Sequence, residues 1–519
     1  MTRRERTGIA RLAAAFLIGA ALVGASVSGQ SYPGTYCVTD FGAVGDGVHD
    51  DTAAFQAAID KAASTGAAVL VPPVAGGQGY VLTKTVIVKE AVALIGSLAG
   101  FSNNGWSAYS LPESHVKGAK ILARPSEQHK PLFQLEGGVT VRGLWILYDQ
   151  QPWPSDAEFQ DKASKFYYAS FQAAREKFVK DHVKPYGPTF YVTWGDNTCI
   201  EDILADRYVD FFYLKAGARV SIDRISLYGY GRAFVIEQAY DVNRLSNIGI
   251  APNVGPICPG KACYTWGSSG CIDERTYSWI YGVIVSQEDN IGVQIGFSDG
   301  YVLSNLYFYG VHTGFRLGAS KEWPIYDPVT GTSFDSPGQG QGPWGAMSNI
   351  GIDGCNIGLQ FVWPGGIATH ISNLLVYPQF DDGKDFSAKS GTGNLRGVGR
   401  HSAFLFEATH TKDNTYGELP TILLSNVEIA SSWTVTERFS GAAASMSQAN
   451  GRVFLVAGEA TVEISGLVLS LLDDPSTLLI AAGKTAGDVS IRVRGYVLNG
   501  VPKPDTKLTK DGAAPLSAW

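Results

Sequence analysis

The sequence predicts an all-β solenoid: one elongated ladder of short strands in place of several globular domains. Three observations carry this. A short pattern returns between residues 198 and 250, a polar pair followed by a hydrophobic residue, a spacer and a second hydrophobic residue. The first hydrophobic residue is Ile203, then Ile225, then Ile248, a period of 22 and then 23 residues. Repeats of that length bury their faces only against neighbouring repeats. Within each unit polar and apolar residues alternate with period two, the period of a strand. Finally, 61 glycines and only 3 methionines in 519 residues suit many short strands joined by tight turns.

The net charge of −7 argues against nucleic acid or an anionic membrane as partner. Residues 1–30 read as a signal peptide. Arg3, Arg4, Arg6 and Arg11 form a basic start, the apolar run from Leu12 to Val23 is short for a membrane span, and small residues follow. The expectation is therefore an exported protein, secreted or periplasmic, with no membrane contact after cleavage. Six cysteines are too few for a disulfide framework in this length. Cys258, Cys263 and Cys271 lie close together in a Gly- and Pro-rich loop, and one local disulfide among them is expected.

Residues 36–95 hold the most specific motif. Val38-Thr39-Asp40-Phe41-Gly42-Ala43-Val44-Gly45-Asp46-Gly47 precedes Asp50-Asp51-Thr52. Asp50 or Asp51 can cap a helix over about 52–64, with Phe55, Ile59 and Ala62 on one face. Strands follow at 69–71, 80–82, 85–88 and 92–95. This stretch resembles the opening of the pectate-lyase-like superfamily, most of all its rhamnogalacturonase- and epimerase-like subgroup. The resemblance implies a right-handed parallel β-helix whose Asp-rich segment is structural and whose helix plugs the open end. It also implies that the second strand of each coil, with the turn entering it, lines a polysaccharide groove. Trimers occur among related β-helices, so a homotrimer is one expected assembly.

The organisation that follows is a cap with the first coils over 31–145, a helical insertion over 146–197, coils with the groove over 198–500 and a tail over 501–519. In the insertion, Phe159, Ala163, Phe166, Ser170, Ala174 and Phe178 fall near one face of a helix. Such a helix packs outside the ladder, as a shield or as a cleft wall. Later coils replace the polar pair by Ser-Asn, at Asn247, Asn305, Asn349, Asn373 and Asn426. Asn tolerates the left-handed conformation of a tight bend, so these are corner residues able to bond from coil to coil.

The second strands align at 212–214, 234–237, 293–295, 315–317, 359–361 and 404–407. Alternation turns Phe315 and Leu317 inward and Arg316 outward. The same phase puts Tyr213, Lys215, Glu237, Gln294, Gln360 and Glu407 outside. The turns entering these strands carry Asp210, Arg232, Asp289 and His312. Coils lie about 4.8 Å apart, so carboxylates one or two coils apart span the separations glycosidases use. Glu237 with Asp210 or Asp289 is the expected catalytic pair. Tyr213, Arg232, Gln294, His312, Arg316, Gln360 and Glu407 are the expected substrate contacts, with His312 and Arg316 suited to a uronate or to developing charge.

The sequence lacks the Asn-Thr-Asp, Gly-His-Gly and Arg-Ile-Lys motifs of polygalacturonase-type hydrolases. The expected function is a secreted glycoside hydrolase acting on a polysaccharide or oligosaccharide with no cofactor or metal. The alternatives are a lyase or epimerase acting on a uronate polymer, and a non-catalytic carbohydrate-binding or adhesive β-helix. A lyase would bring calcium, and the only dense acidic set is Asp381, Asp382 and Asp385.

Overall fold

The computed structural model describes residues 34–74, 78–99, 117–152, 178–250, 287–335, 342–362, 369–378, 402–407, 421–430, 452–458, 460–470, 480–482, 489–509 and 512–515. The signal peptide, the Cys258–Cys263–Cys271 loop, the Asp381–Asp382–Asp385 set and most of the helical insertion lie outside these residues. Of the insertion, residues 178–182 are helical. Among the described residues Cys37, Cys199 and Cys355 are free thiols, and no helix is long and apolar enough to cross a membrane.

Helix α1 (Thr52–Thr65) opens the fold. Its Phe55, Ala58, Ile59 and Ala62 are fully buried, as the spacing required, and Gly66 closes it in the left-handed conformation (φ 70°). The two aspartates before it divide the work. Asp50, one residue ahead of the N-cap position, accepts from the first helical amide, that of Thr52, at 3.0 Å. Asp51 is buried and accepts instead from the Val44, Gly45 and Val81 amides at 2.6, 3.3 and 3.1 Å. It ties the glycine-rich opening to the strand Tyr80–Leu82. The Asp-rich segment is thus structural, and the helix covers the first coils as a plug.

The strands pair in parallel and wind into two faces, and a strand-to-parallel-strand crossover is almost always right-handed. The long face stacks Thr140–Leu147, Cys199–Tyr208, Ser221–Gly229 and Asn243–Ile250, and continues through Trp344–Cys355, Thr369–Pro378, Thr421–Ala430 and Ala460–Ser470. One row of its register runs Leu144, Ile203, Ile225, Ile248, Leu306, Ile350, Leu374, Val427, Leu467. All are buried, so the 22-residue pattern is the core row. Fully burying each such side chain contributes roughly 1.5–3 kcal/mol. Stacked rings extend the core along the axis, with Phe361–Phe406 centroids 5.1 Å apart and Phe404–Phe454 5.4 Å.

The residue before the core row is the corner. Asn247, Asn305, Asn349, Asn373 and Asn426 all have φ between 51° and 56°. Each amide of the last four donates to the Asn one coil earlier, at 3.2, 3.0, 2.8 and 3.1 Å. Below Asn247 the corner changes chemistry. Asn247 donates to Asp223, and Arg224, itself left-handed, pairs with Glu201, Asp202 and Asp223.

At the far end the chain turns antiparallel. Val501–Lys503 returns along Tyr496–Leu498, and Thr506–Thr509 lies between Val489–Arg494 and Gly512–Pro515. The tail is a cap that pairs the last exposed strand edges.

Candidate active site on the short face

The short face stacks Phe190–Thr193, Phe212–Ala218, Phe234–Tyr240, the start of Ile291–Tyr309, Thr313–Leu317, Ile357–Phe361, Ser402–Phe406 and Arg452–Val456. Its inner residues Phe212, Leu214, Phe234, Ile236, Phe315 and Leu317 belong to the main core. Tyr191, Tyr213 and Val235 form a separate cluster on the outside. The alternation therefore assigned the strand phase correctly.

The outside of this face is not an open groove, as the sequence reading expected. The segment after Thr313–Leu317 makes an antiparallel hairpin, Ile325–Asp327 with Thr332–Phe334, that lies over it. Ala319 and Ile325 pack on Tyr213 and Val235, and the Arg316 guanidinium lies 4.7 Å from the Trp323 ring centroid. Asp327 is the anchor and is fully buried. Its Oδ2 accepts from Tyr191 Oη (2.9 Å), Lys215 Nζ (3.1 Å) and Thr330 Oγ1 (2.6 Å). Its Oδ1 accepts from the Val329 and Thr330 amides, closing the hairpin turn.

Glu237 sits beside this anchor. Leu214 pairs with Ile236 but Lys215 pairs with Gln238, so Glu237 is one extra residue in its strand. Such a bulge re-aims a side chain. Tyr213 Oη donates to Glu237 Oε2 at 2.5 Å, and Lys215 Nζ stands 3.8 Å from Glu237 Oε1. Since Lys215 Nζ is also 3.1 Å from Asp327 Oδ2, the two carboxylates lie within about 7 Å of each other. Burial raises the Glu237 carboxyl above its ordinary range, against the Tyr213 hydrogen bond and the Lys215 charge. Burial also works to raise Asp327, but hydrogen bonds from Thr330, Lys215 and Tyr191 outweigh it and hold that carboxyl low. Burial and the neighbouring Glu237 charge drive the Tyr213 phenol far above its usual range.

The other expected residues fall elsewhere. Asp210, expected in the catalytic pair, and Arg232, expected as a substrate contact, have a structural task. They form a buried two-bonded pair, Nη2 to Oδ2 at 2.5 Å and Nε to Oδ1 at 3.0 Å, and Arg232 Nη1 donates to the hairpin's Tyr326 carbonyl at 2.8 Å. Burial opposes the Arg232 charge, but Asp210 outweighs it and raises the pKa. Both Asp210 oxygens are thus engaged. Asp289 is exposed in the turn entering the next coil, where its charge also reaches Arg232.

Arg316, Gln360 and Glu407 form a polar row along the face. Arg316 Nε donates to Gln360 Oε1 at 2.7 Å, and Gln360 Nε2 donates to Glu407 Oε1 at 2.9 Å. Gln294 and His312 are buried near this row, and His312 Nδ1 lies 3.0 Å from Thr313 Oγ1. His312 and Arg316, expected as substrate contacts, are both buried, Arg316 against Trp323. Among the described residues, no three His, Cys, Asp or Glu side chains converge as a metal site.

Sequence reasoning missed Asp327, Lys215 and Tyr191 as site residues. One local signal was present, because Asp327-Pro328-Val329-Thr330-Gly331 is a turn sequence inside the loop. Its docking on strands more than a hundred residues earlier had no signal at all.

Residues 36–106 match the family model described as rhamnogalacturonase A/epimerase, pectate lyase-like. No curated protein matches the chain. Among solved structures, the chain is similar to a hyperthermoactive exopolygalacturonase from Thermotoga maritima, at 11% identity and a TM-score of 0.45, covering 93% of this chain and 95% of that one. It is also similar to the A-module of mannuronan C-5 epimerase AlgE4 from Azotobacter vinelandii, at 12% identity and a TM-score of 0.45, covering 90% and 96%. A third is a tailspike protein of E. coli bacteriophage HK620 in complex with a hexasaccharide, at 10% identity and a TM-score of 0.45, covering 89% and 64%. The opening of the chain thus matches that family model, and the described strands behind it stack in parallel coils, the arrangement of a β-helix.

Proposed function

We propose that the protein is an exported carbohydrate-active enzyme that hydrolyses glycosidic bonds, with Glu237 as the general acid. The observation that supports this best is the opposite perturbation of two neighbouring carboxyls. Glu237 is raised by burial while Asp327, within about 7 Å across a shared ammonium, is held ionised. Carboxyl pairs whose environments push their pKa values apart divide into a proton donor and an ionised partner. That upper bound admits the carboxyl separations that glycosidases use. Glu237 would protonate the leaving oxygen. Asp327 would supply the ionised carboxylate. Lys215 and Tyr213 would hold Glu237 in place, with the hairpin docked so that Asp327 stays beside it.

A uronate lyase or epimerase is the second reading, favoured by the Tyr213 phenol and the Lys215 cation touching Glu237. The upward shift of the Tyr213 phenol weighs against it, since such a phenol donates a proton and does not abstract one at neutral pH. Product analysis on a panel of neutral and uronate polysaccharides separates the readings. Reducing ends without ultraviolet absorbance support hydrolysis, and unsaturated absorbing products refute it. Glu237→Gln should abolish turnover. Unchanged activity would remove Glu237 from the site.

A further inference from the structure

Trp194 is the only Phe, Tyr or Trp among the described residues with a positive φ (57°), and 76% of it is exposed. It follows the strand Phe190–Thr193, and its amide donates to the Lys215 carbonyl at 3.3 Å. The next coil makes the same turn with Ala216 at φ 58°, and Asn197 and Arg219 match three residues further on, both at 56°. The turn therefore requires the left-handed conformation here, and a methyl side chain is enough to make it. A bulky ring in that conformation is strained. Core packing cannot offset the strain, because the ring is left in water. A strained, solvent-facing indole calls for a ligand.

Its position says which one. Thr193, the residue before it, is in register with Lys215, whose ammonium lies against Glu237 and Asp327. Two coils on, Tyr240 is 41% exposed, with its hydroxyl held by Gln238 Nε2 at 2.6 Å. Coils about 4.8 Å apart put the two residues about 10 Å apart along the axis, and Tyr240, paired with Ala218, stands two positions further along its strand than Trp194, so the span is about two to three sugar units. Beside Tyr240, and two to three residues past the Trp194 position, Asp196, Arg219 and Asp241 form an ion-paired row with no surplus of positive charge. Flat apolar rings on a rim without excess cations suit the faces of uncharged sugars and disfavour a polyanion.

We infer that Trp194 and Tyr240 form a stacking platform that delivers a neutral glycan chain to the Glu237 site. The inference rests on reading that site as carbohydrate-active. The test uses the full chain carrying Glu237→Gln, titrated by fluorescence and calorimetry with cellohexaose, laminarihexaose, xylohexaose and hexagalacturonate. At least one neutral hexasaccharide should bind and hexagalacturonate should not. Adding Trp194→Ala should weaken that binding tenfold or more. Trp194→Gly should weaken it equally while melting no lower than its parent, because glycine removes the strain with the ring. Binding untouched by Trp194→Ala, binding of hexagalacturonate alone, or no binding would overturn the inference. A clear fall in melting temperature for Trp194→Gly would also overturn it, by making the indole structural. Trp194-dependent binding by a protein that cleaves nothing would uphold the platform and defeat the hydrolase reading.

Discussion

Asp327→Asn separates two functions of one side chain. Oδ1 holds the hairpin turn through the Val329 and Thr330 amides, whereas Oδ2 holds the hairpin to the coils through Tyr191 and Lys215. An asparagine with its carbonyl toward the turn keeps the first set and faces the second with an NH2 that cannot accept. The two hydrogen bonds that tie this charged group to the coils are lost, each about 1.5–3 kcal/mol, so the latch weakens by roughly 3–6 kcal/mol. In native-state hydrogen exchange, amides of 325–334 should lose at least about a hundredfold in protection, at about 1.4 kcal/mol per factor of ten, while the core row from Ile203 to Leu467 keeps its own. The same change acts on Glu237. Removing the Asp327 charge leaves Lys215 to Glu237 alone, so the Glu237 pKa falls. The Glu237 carboxyl titration, followed by carbon-13 NMR, should therefore move to lower pH. Unchanged hairpin protection, or a Glu237 titration moving upward, would refute both the latch and the coupling.

Other consequences are simpler. Because burial raises the folded Glu237 pKa, the folded state holds that proton more tightly than the unfolded one, and stability falls as pH rises from about 4.5 through the folded pKa. Glu237→Gln should therefore be more stable than the parent at pH 7 in urea, with the gain vanishing below pH 4; a destabilised variant at pH 7 would contradict this. Asn349→Gly removes two ladder bonds and should cost about 1–2 kcal/mol, whereas Asn349→Ala adds left-handed strain and should cost more. The opposite order in denaturation midpoints would show that the corner conformation is not the constraint. Asp51→Ala leaves three amides without their acceptor and should cost roughly 3–5 kcal/mol, lost first in the α1 amides; a cost under about 1 kcal/mol would mean that water replaces the carboxylate.

What could be read before the structure was whatever repeats or alternates. The core row, the Asn corners, the buried face of α1 and the outward phase of Tyr213, Gln294, Arg316 and Gln360 all follow from a period, and the strand pairing obeys it. Even the Asp210–Arg232 pair was legible in principle. The two residues stand 22 apart, one coil, so the fold stacks them and their opposite charges meet. The hairpin was not legible, because Lys215 and Asp327 are 112 residues apart and nothing local fixes where a loop docks. The surroundings of Glu237 stayed hidden for a related reason. Alternation aimed its side chain outward, but the hairpin that covers the face turned a carboxylate expected in solvent into a buried one.

The corner column sets what lengths this chain can take. The ladder bond spans 24 residues from Asn349 to Asn373 and 58 from Asn247 to Asn305, with the same geometry at both. Loops can therefore grow or shrink freely between corners, and a whole turn of the helix can be removed while the amides on either side meet again. A single residue added between a corner and its core row cannot be absorbed, since it would turn that coil inside out. The protein counts in turns, and its variable chemistry hangs on whatever is threaded between them.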